Sequence, residues 1–305
     1  MEVFQTYGAA FKYLRESHGM TIKKTAEDIV SPQFLSRFEK DNSSISLENF
    51  SRLLTRLGIT WNDFFKVYRG ESTEYLLQHL YNALNHSAND IDILEAARKK
   101  PAFDFKDNPV FNTLTADAIR VYSNAAYEFD WDVSEEQKRL SDYLNQTDTW
   151  GEVERSLYQL ILQTLPTEMV AYRGQELCNS LKNDLSLSME EKREIVETLL
   201  ETLRYLSREK KNREVERLIV FMTEEFKKPG YLYYSSEILL FKMQTAYHYF
   251  RVGDMRAHDM ARKVYFMFDR MEKDFDMSIM GKGKENFYIT IQQINKTGVE
   301  FTLED

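Results

Sequence analysis

The stretch SPQFLSRFEK, Ser31 to Lys40, decides how the N-terminal part of this chain is interpreted. Ser31 is a favourable helix N-cap, and Pro32 suits the first helical position because no hydrogen bond is lost there. Leu35 and Phe38 are three residues apart, so they share one face of the predicted helix. Polar and basic side chains occupy the opposite face at the spacing i, i+3, i+4 and i+7: Gln33, Ser36, Arg37 and Lys40.

Four other short helices are predicted around this one within residues 1–66. The first runs from about Tyr7 to Glu16 and ends before Gly19, which suits a left-handed C-cap. Thr21 is expected to cap the second helix. That helix places two lysines outward and two apolar side chains inward: Lys23, Lys24, Ala26 and Ile29.

A fourth and a fifth helix are predicted after Lys40. Ser46 is expected to cap the fourth helix, and Gly58 to end it. An apolar stripe is predicted along that helix: Leu47, Phe50, Leu53, Leu54 and Leu57. Thr60 with Asp63 resembles a capping pair for the fifth helix. The N-terminal residues therefore predict a five-helix unit.

This pattern has a physical use in DNA recognition. A helix fits the major groove when its outward face is polar and its inward face is held by a supporting helix. Arg37 and Lys40 suit guanine edges or phosphates, Gln33 suits adenine, and Ser36 suits either kind of contact. The alternative is a solvated helix face in a small bundle.

The segment TIKKTAEDI and the residues that follow it resemble the helix-turn-helix of Cro/C1-type (XRE) repressors and, more narrowly, the Rgg/GadR/MutR regulators of Gram-positive bacteria. The resemblance is carried by Ala26, Ser31, the run LSRFEK from Leu35 to Lys40, and Ile45-Ser46-Leu47. Phe34 departs from the Rgg pattern, which often has a polar residue there. Contact with a thymine methyl and inward packing both remain open for it.

The resemblance implies that the outward side chains of the second and third helices contact DNA: Lys23, Lys24, Ser31, Gln33, Ser36, Arg37 and Lys40. Residues 1–66 contain nine Lys+Arg and eight Asp+Glu, a net charge of +1, so the rest of the chain carries −10 of the total −9. Because +1 is weak for a protein that binds phosphates, we expect a homodimer that reads two half-sites.

From about Glu71 to Asp305 the sequence predicts about eleven helical stretches with short breaks, so the fold class is all-α. Six of these stretches are Asn112 to Phe129, Glu152 to Leu165, Met189 to Ser207, Arg213 to Phe226, Tyr233 to Phe250 and Met255 to Lys273. The segment YITIQQI, Tyr288 to Ile294, alternates like a strand, but its neighbours favour a terminal helix. We expect two domains, residues 1–66 and 71–305.

The segment Ser235 to Met271 resembles a tetratricopeptide repeat (TPR). Ala246 and Tyr249 precede the Gly253-Asp254 turn, and Ala257 and Ala261 follow it. The three alanines are small enough to let paired helices approach closely. We therefore expect a TPR-like right-handed α-solenoid of stacked helix pairs, with degenerate repeats. An irregular helical bundle is the alternative.

The concave face of such a stack forms a groove that suits an extended peptide. The Rgg resemblance implies that this domain binds a short secreted signalling peptide that re-enters the cell. Amide, aromatic and cationic side chains suit a peptide backbone and its carboxylates. Eight such side chains are candidates: Arg155, Tyr158, Tyr172, Arg173, Asn179, Tyr234, Lys242 and Tyr247. Ordinary packing or a surface salt bridge is the alternative for each.

Other motifs exclude several classes of site. Cys178 is the only cysteine, so it allows no internal disulfide or thiolate cage and is expected to be a buried thiol. His79 and His86 lack a carboxylate at metal-ligand spacing, and GKGK, Gly281 to Lys284, is interpreted as a flexible basic turn. We predict no cofactor, no metal and no enzymatic activity.

The chain shows neither a signal peptide nor an apolar run of ~20 residues, and a cytoplasmic location is therefore expected. The prediction is a cytoplasmic, sequence-specific DNA-binding regulator, a homodimer controlled by a signalling peptide. A non-enzymatic helical-repeat scaffold for other proteins is the alternative.

Overall fold

The structure, a computed structural model, describes residues 4–68, 109–126, 128–231, 234–274 and 276–295. These residues fall into two compact units, one containing residues 4–68 and the other the residues from Thr113 onward. The described α-helices are α1 Tyr7–Ser17, α2 Ile22–Ala26, α3 Pro32–Phe38, α4 Leu47–Leu57, α5 Trp61–Val67, α6 Pro109–Ala126, α7 Ser134–Gln146, α8 Glu152–Ile161, α9 Thr167–Asn183, α10 Met189–Arg208, α11 Asn212–Glu225, α12 Ser235–Val252, α13 Ala257–Asp274 and α14 Ile279–Ile294. Short 3-10 helices lie at Glu27–Ile29, Leu162–Thr164 and Pro229–Tyr231.

The helices of the N-terminal unit begin where hydroxyl side chains satisfy their free N–H groups. Each of five hydroxyl groups accepts a hydrogen bond from the third helical N–H: Thr6, Thr21, Ser31, Ser46 and Thr60. Asp63 completes the capping box of α5, and the hydrogen bond from the Thr60 side chain lowers the pKa of Asp63 to about 2. Gly19 and Gly58 adopt positive φ angles of 66° and 69°. The caps predicted from the sequence are confirmed.

The core of this unit lies between α1, α3, α4 and α5. Leu35 and Ala26 are fully buried, and Phe38 is almost so, which confirms the predicted inward face of α3. Ile29 is half-buried against this core. Leu47 departs from the predicted stripe: it is 73% exposed, because the first residue of α4 lies outside the packed face. A single bridge joins Phe4 to Tyr68; within the described ranges no residue belongs to a strand.

The second unit is built from paired helices. Each even-numbered helix from α8 packs against the next even-numbered one, α8 on α10, α10 on α12 and α12 on α14. α10 and α12 also pack on the odd-numbered helices that follow them, and α9 packs on α11. Repetition of the same neighbour relation along the chain is the arrangement expected of stacked helix pairs, so it favours the TPR-like stack over the irregular bundle.

The repeat-like segment forms α12 and α13. Ala246, Ala257 and Ala261 are fully buried, and Gly253 turns the chain between the helices with a φ angle of 72°. Their small side chains let the paired helices approach closely, as predicted. Cys178 is also buried, and burial raises the pKa of its thiol to about 12. The thiol is therefore inert at neutral pH.

Of two predictions for the C-terminal segment, one is confirmed and one is wrong. Tyr288 to Ile294 is helical, as predicted, within α14. GKGK does not form a flexible turn, because Gly281 to Lys284 are the third to sixth residues of the same helix. Lys284 Nζ contacts Asp269 Oδ1 at 3.1 Å and Glu272 Oε2 at 2.8 Å. A Cβ atom at Gly283 would lie 2.7 Å from the Phe268 ring, so glycine lets α14 lie against α13.

The segment 69–108, which includes His79 and His86, lies outside the described residues. Among the residues that are described, no group of three or more His, Cys, Asp or Glu side chains has a metal-binding arrangement. None of the described helices is both long and apolar enough to span a bilayer.

Candidate functional site

The outward surface of α2 and α3 is polar and cationic. Of the seven predicted DNA contacts, six are exposed: Lys23, Lys24, Ser31, Gln33, Arg37 and Lys40. The seventh, Ser36, is half-buried. Within the described part of the chain, no ion pair engages the side chains of Lys23, Lys24, Arg37 or Lys40. These cations are therefore available to an external anion.

The C-terminal end of α3 sets the position of two of these side chains. Arg37 lies in the last turn of α3, whereas Lys40 follows the helix in a turn closed by the Lys40 N–H to the Arg37 carbonyl at 3.2 Å. Phe34 is half-buried on α3. Phe34 is thus partly packed and partly open to solvent, which fits both inward packing and contact with a thymine methyl.

A buried ion pair locks α1 to the end of α3. Arg15 Nε donates to Glu39 Oε1 at 2.6 Å, and a terminal nitrogen of Arg15 donates to Oε2 at 2.8 Å. The two side chains are 6% and 3% exposed. Arg15 also donates to the Met20 carbonyl at 2.7 Å, and the hydrogen bond to Glu39 raises its pKa. A two-point contact of this kind fixes orientation as well as distance.

This pair is not predicted from the sequence. Its only local signal is that Arg15 and Glu39 each follow an inward apolar residue, Leu14 and Phe38, so both lie close to the core face. Nothing in the local pattern joins two residues that are 24 positions apart.

Two further contacts position the helix-turn-helix. Gly8 of α1 lies so close to the end of α3 that a Cβ atom there would be 2.0 Å from the Phe38 carbonyl oxygen. Asp28, in the 3-10 turn after α2, accepts hydrogen bonds from Arg56 at 2.5 Å and from Arg52 at 3.4 Å on α4. The supporting helices α4 and α1 therefore hold the turn between α2 and α3 and the C-terminal end of α3, respectively.

Three of the eight predicted peptide-binding residues converge on Trp150. Arg155 donates to the Trp150 carbonyl at 3.0 Å, the Tyr158 and Trp150 ring centres are 5.1 Å apart, and the Arg173 guanidinium lies 4.6 Å from the Trp150 ring centre. All three side chains are buried, Tyr158 completely. Burial raises the pKa of Tyr158, whose hydroxyl lies 3.1 Å from Thr202 Oγ1.

Arg155 and Arg173 also have polar partners. Arg155 pairs with Glu194 at 2.5 Å, and Arg173 donates to the Leu144 carbonyl at 2.5 Å and to Glu176 at 2.6 Å. These contacts hold α8 to α10 and α9 to the end of α7. We therefore assign the Trp150 cluster a structural role in this conformation.

The other five candidates are dispersed. Tyr234 and Tyr247 are buried; the Tyr234 hydroxyl donates to the Met189 carbonyl at 2.5 Å, and the Tyr247 ring lies 5.4 Å from that of Phe287. Tyr172 and Asn179 are exposed on α9. Their nearest hydrogen-bond partners are one helical turn away, Glu176 at 2.8 Å and Gln175 at 3.4 Å.

Lys242, the eighth candidate, is half-buried and lines a surface cavity of about 580 Å³. The other lining side chains come from α13: Lys263, Phe266, Met267 and Arg270. These four residues are not among the predicted contacts, although their spacing of three, four and seven positions places them on one helix face. Only the packing of α12 on α13 brings Lys242 to that face.

Comparison with protein families identifies both parts of the chain. The model of a helix-turn-helix family matches residues 11–64. The model described as "HTH-type transcriptional regulator Rgg, C-terminal domain" matches residues 103–274, more than half of the chain.

Solved structures share the fold over nearly the whole chain. The Streptococcus dysgalactiae SHP pheromone receptor Rgg2 has a TM-score of 0.68 and 17% identity, covering 92% of this chain and 99% of that one. A putative transcriptional regulator from Listeria monocytogenes EGD-e has a TM-score of 0.69 and 16% identity, with 95% and 99% covered. Bacillus thuringiensis PlcR, in complex with the peptide PapR7 and DNA, has a TM-score of 0.54 and 18% identity, with 93% and 99% covered.

Proposed function

We propose, from the premise that this chain belongs to the Rgg family of HTH-type transcriptional regulators, that a short signalling peptide controls its binding to promoter DNA. The observation that carries the DNA-binding part is the outward face of α3, where Gln33, Arg37 and Lys40 are exposed while Leu35 and Phe38 are buried. A polar face on a helix held from behind is what the major groove accepts. The protein then acts in the cytoplasm, where promoter DNA lies.

The residue roles follow from reach and chemistry. Arg37 and Gln33 lie within α3 and are the proposed base-reading side chains, Arg37 for guanine and Gln33 for adenine. Lys23, Lys24 and Lys40 lie on α2 and beyond the end of α3, and we assign them to phosphates. Ser31 and Ser36 supply hydroxyl donors on the same surface.

A homodimer is part of this proposal. One N-terminal unit with a net charge of +1 makes few favourable contacts with phosphates, whereas two units on neighbouring half-sites double them. The half-sites are expected to lie about 34 Å, or a multiple of that distance, apart. Dimerisation therefore supplies both affinity and the geometric selection of a promoter.

The peptide part of the proposal rests on the family and on the repeat-like unit. The PlcR structure contains the peptide PapR7 together with DNA, and Rgg2 is described as a pheromone receptor. Stacked helix pairs present an extended surface that suits a peptide. A peptide that binds one arrangement of the dimer more tightly than another shifts the population of DNA-binding states.

The DNA part is tested by selecting duplexes from a random-sequence library and measuring their affinity for Arg37→Ala. Loss of a bidentate base contact costs about 1–3 kcal/mol, so we expect roughly tenfold weaker binding to the selected site and relaxed preference at one base pair. Lys66→Ala removes the same charge from α5, where Lys66 is 60% exposed and contacts Asp63 outside the α2–α3 motif, and serves as the matched control. Equal affinity of the parent and Arg37→Ala at the same salt concentration would contradict the assignment.

A further inference from the structure

The cavity between α12 and α13 combines cationic and apolar walls. Lys242, Lys263 and Arg270 supply three cations, and Phe266 and Met267 supply the apolar surface. Phe266 is 57% exposed, so its ring is available to an apolar group of a ligand. A volume of about 580 Å³ falls within the range of small-ligand sites, so the cavity fits two or three residues of a peptide.

The positive charge of this cavity is only partly compensated. Lys263 pairs with Asp259 at 2.6 Å. Lys242 and Arg270 have no ion pair or hydrogen-bonded side-chain partner in the part of the chain that the structure describes. Burial, together with the nearby Lys263, lowers the pKa of Lys242. A half-buried ammonium without a counterion is unfavourable in the free protein.

Two acidic side chains of α13, Asp269 and Glu272, are paired with lysines outside the cavity lining. Asp269 contacts Lys273 at 3.0 Å and Lys284 at 3.1 Å, and Glu272 contacts Lys284 at 2.8 Å. The unit that surrounds this cavity belongs to the part of the chain with a net charge of −10, yet its local acids leave Lys242 and Arg270 uncompensated. An external carboxylate is the group that completes this arrangement.

We propose that this cavity binds the C-terminal end of a short hydrophobic peptide, with the terminal carboxylate on Lys242 and Arg270 and the last apolar side chain against Phe266 and Met267. In a peptide the terminal carboxylate lies directly beside the last side chain. One small cavity can therefore bind both, the carboxylate on its cationic side chains and the apolar group on its apolar side chains. Arg270 supplies a planar fork for the two carboxylate oxygens, Lys242 supplies a point charge, and Met267 adapts to the shape of the apolar group. This inference rests on the peptide control proposed above.

The test follows the Met267 methyl group by NMR in the full chain, labelled at its methionine methyls, with Met267→Leu to assign the signal. The probes are N-acetyl-Leu-Leu-Phe as the free acid and the same tripeptide as its C-terminal amide. We expect the free acid to shift the Met267 signal with saturation, and the amide to bind at least tenfold more weakly. A tripeptide with an internal aspartate and an amidated end distinguishes a side-chain carboxylate from a terminal one.

Substitutions assign the two cations. Lys242→Met and Arg270→Gln are each expected to weaken binding of the free acid at least fivefold, while the remaining methionine signals report that each variant is folded. Lys273→Gln on the same helix, whose lysine pairs with Asp269 outside the cavity lining, should leave binding unchanged. Equal binding of acid and amide, a stationary Met267 signal, or binding unaffected by both substitutions would overturn the inference.

A second measurement separates this inference from the proposed function. The full chain is used to select from a random nonapeptide library made with free and with amidated C-termini. Retention of both forms, unaffected by Lys242→Met and Arg270→Gln, would support peptide binding but overturn the placement at this cavity. Failure to retain any library peptide, together with a Met267 response to the tripeptide acid, would support the cavity as a carboxylate site and count against peptide control.

Discussion

In the part of the chain that the structure describes, the outward face of α3 and the cavity between α12 and α13 both present cations without ion-pair partners, but the two surfaces differ in shape and burial. Arg37 is exposed on α3, and Lys40 is exposed just beyond the end of that helix. Lys242 is half-buried in a concave surface with apolar walls. Because exposed charges are well hydrated, the first arrangement suits the extended row of phosphates and base edges of a duplex. The second suits a single small anion that brings apolar surface with it.

A third group of cations shows what a buried charge does when it is fully partnered. Arg15 and Arg155 are almost completely buried, and each is paired with a carboxylate from another helix. Removing one partner of a buried pair leaves an uncompensated charge, which is costly. The comparison therefore suggests that buried, paired cations hold this protein together, while a half-buried cation without a partner marks a place for a ligand.

The largest expected effect concerns the pair that locks α3. Glu39→Gln leaves the Arg15 guanidinium buried without its counterion, so we expect the N-terminal unit to lose about 3–5 kcal/mol of stability. Native-state hydrogen exchange of the amides in α1 and α3 measures this locally. Glu16→Gln removes the other carboxylate that contacts Arg15, but Glu16 is 54% exposed, and its loss should cost less than about 1 kcal/mol. Equal effects of the two substitutions would contradict the locking role of Glu39.

A smaller effect is expected at the buried arginine of the second unit. Glu194→Gln replaces a charged partner of Arg155 with a neutral one, and the hydrogen bond to a charged group contributes about 1.5–3 kcal/mol. Urea unfolding and hydrogen exchange in α8 should both report the loss. Glu190→Gln, an exposed residue of the same helix α10, is the control. If Glu194→Gln changes peptide affinity without changing stability, Arg155 is a ligand contact and its structural assignment is wrong.

Lys242→Met should change stability in the opposite direction, making the second unit more stable. Removal of a half-buried charge without a partner is expected to stabilise the second unit by about 0.5–1 kcal/mol, even as it weakens carboxylate binding. Since burial lowers the pKa of Lys242 below its ordinary 10.5, the unfolded chain binds more protons there, and folding becomes more favourable as pH rises toward that value. The stability advantage of the variant over the parent should therefore shrink in thermal unfolding as pH approaches 10.5. If Lys242→Met were less stable than the parent, paired and unpaired buried cations would not differ in their effect on stability.

The smallest effect concerns an exposed carboxylate that is fully partnered. The pKa of Asp63 is lowered from 3.8 to about 2, first by the hydrogen bond from the Thr60 side chain and then by the one from Lys66. Its contribution to stability is therefore present above pH 3.8 and is lost as pH falls toward 2. An NMR titration of the Asp63 carboxyl checks the direction, and Thr60→Val should return its pKa toward 3.8. An unchanged pKa in that variant would show that Thr60 is not the cause.

The features that were predictable from the sequence are those set by neighbours in the chain. The caps at Thr21, Ser31, Ser46 and Thr60 were identified because each hydroxyl bonds an N–H only three residues away. The inward and outward faces of α3 follow from the helical period in the same way. The same local reasoning failed for GKGK, because the glycines are placed in a helix by close contact with α13 rather than by their own preference.

The features that only the tertiary structure decided depend on contacts between distant helices. Tyr158, Tyr234 and Tyr247 are buried. The period of a helix predicts which residues share a face but not which face meets another helix pair, so their surroundings follow only from the packing.

The sequence by itself therefore determined the all-α class, the helix ends and the polar face of α3, since each depends on interactions within a few residues. The Arg15–Glu39 lock and the cavity of Lys242 and Arg270 were decided by the tertiary structure, because each requires helices that pack across long separations in the chain.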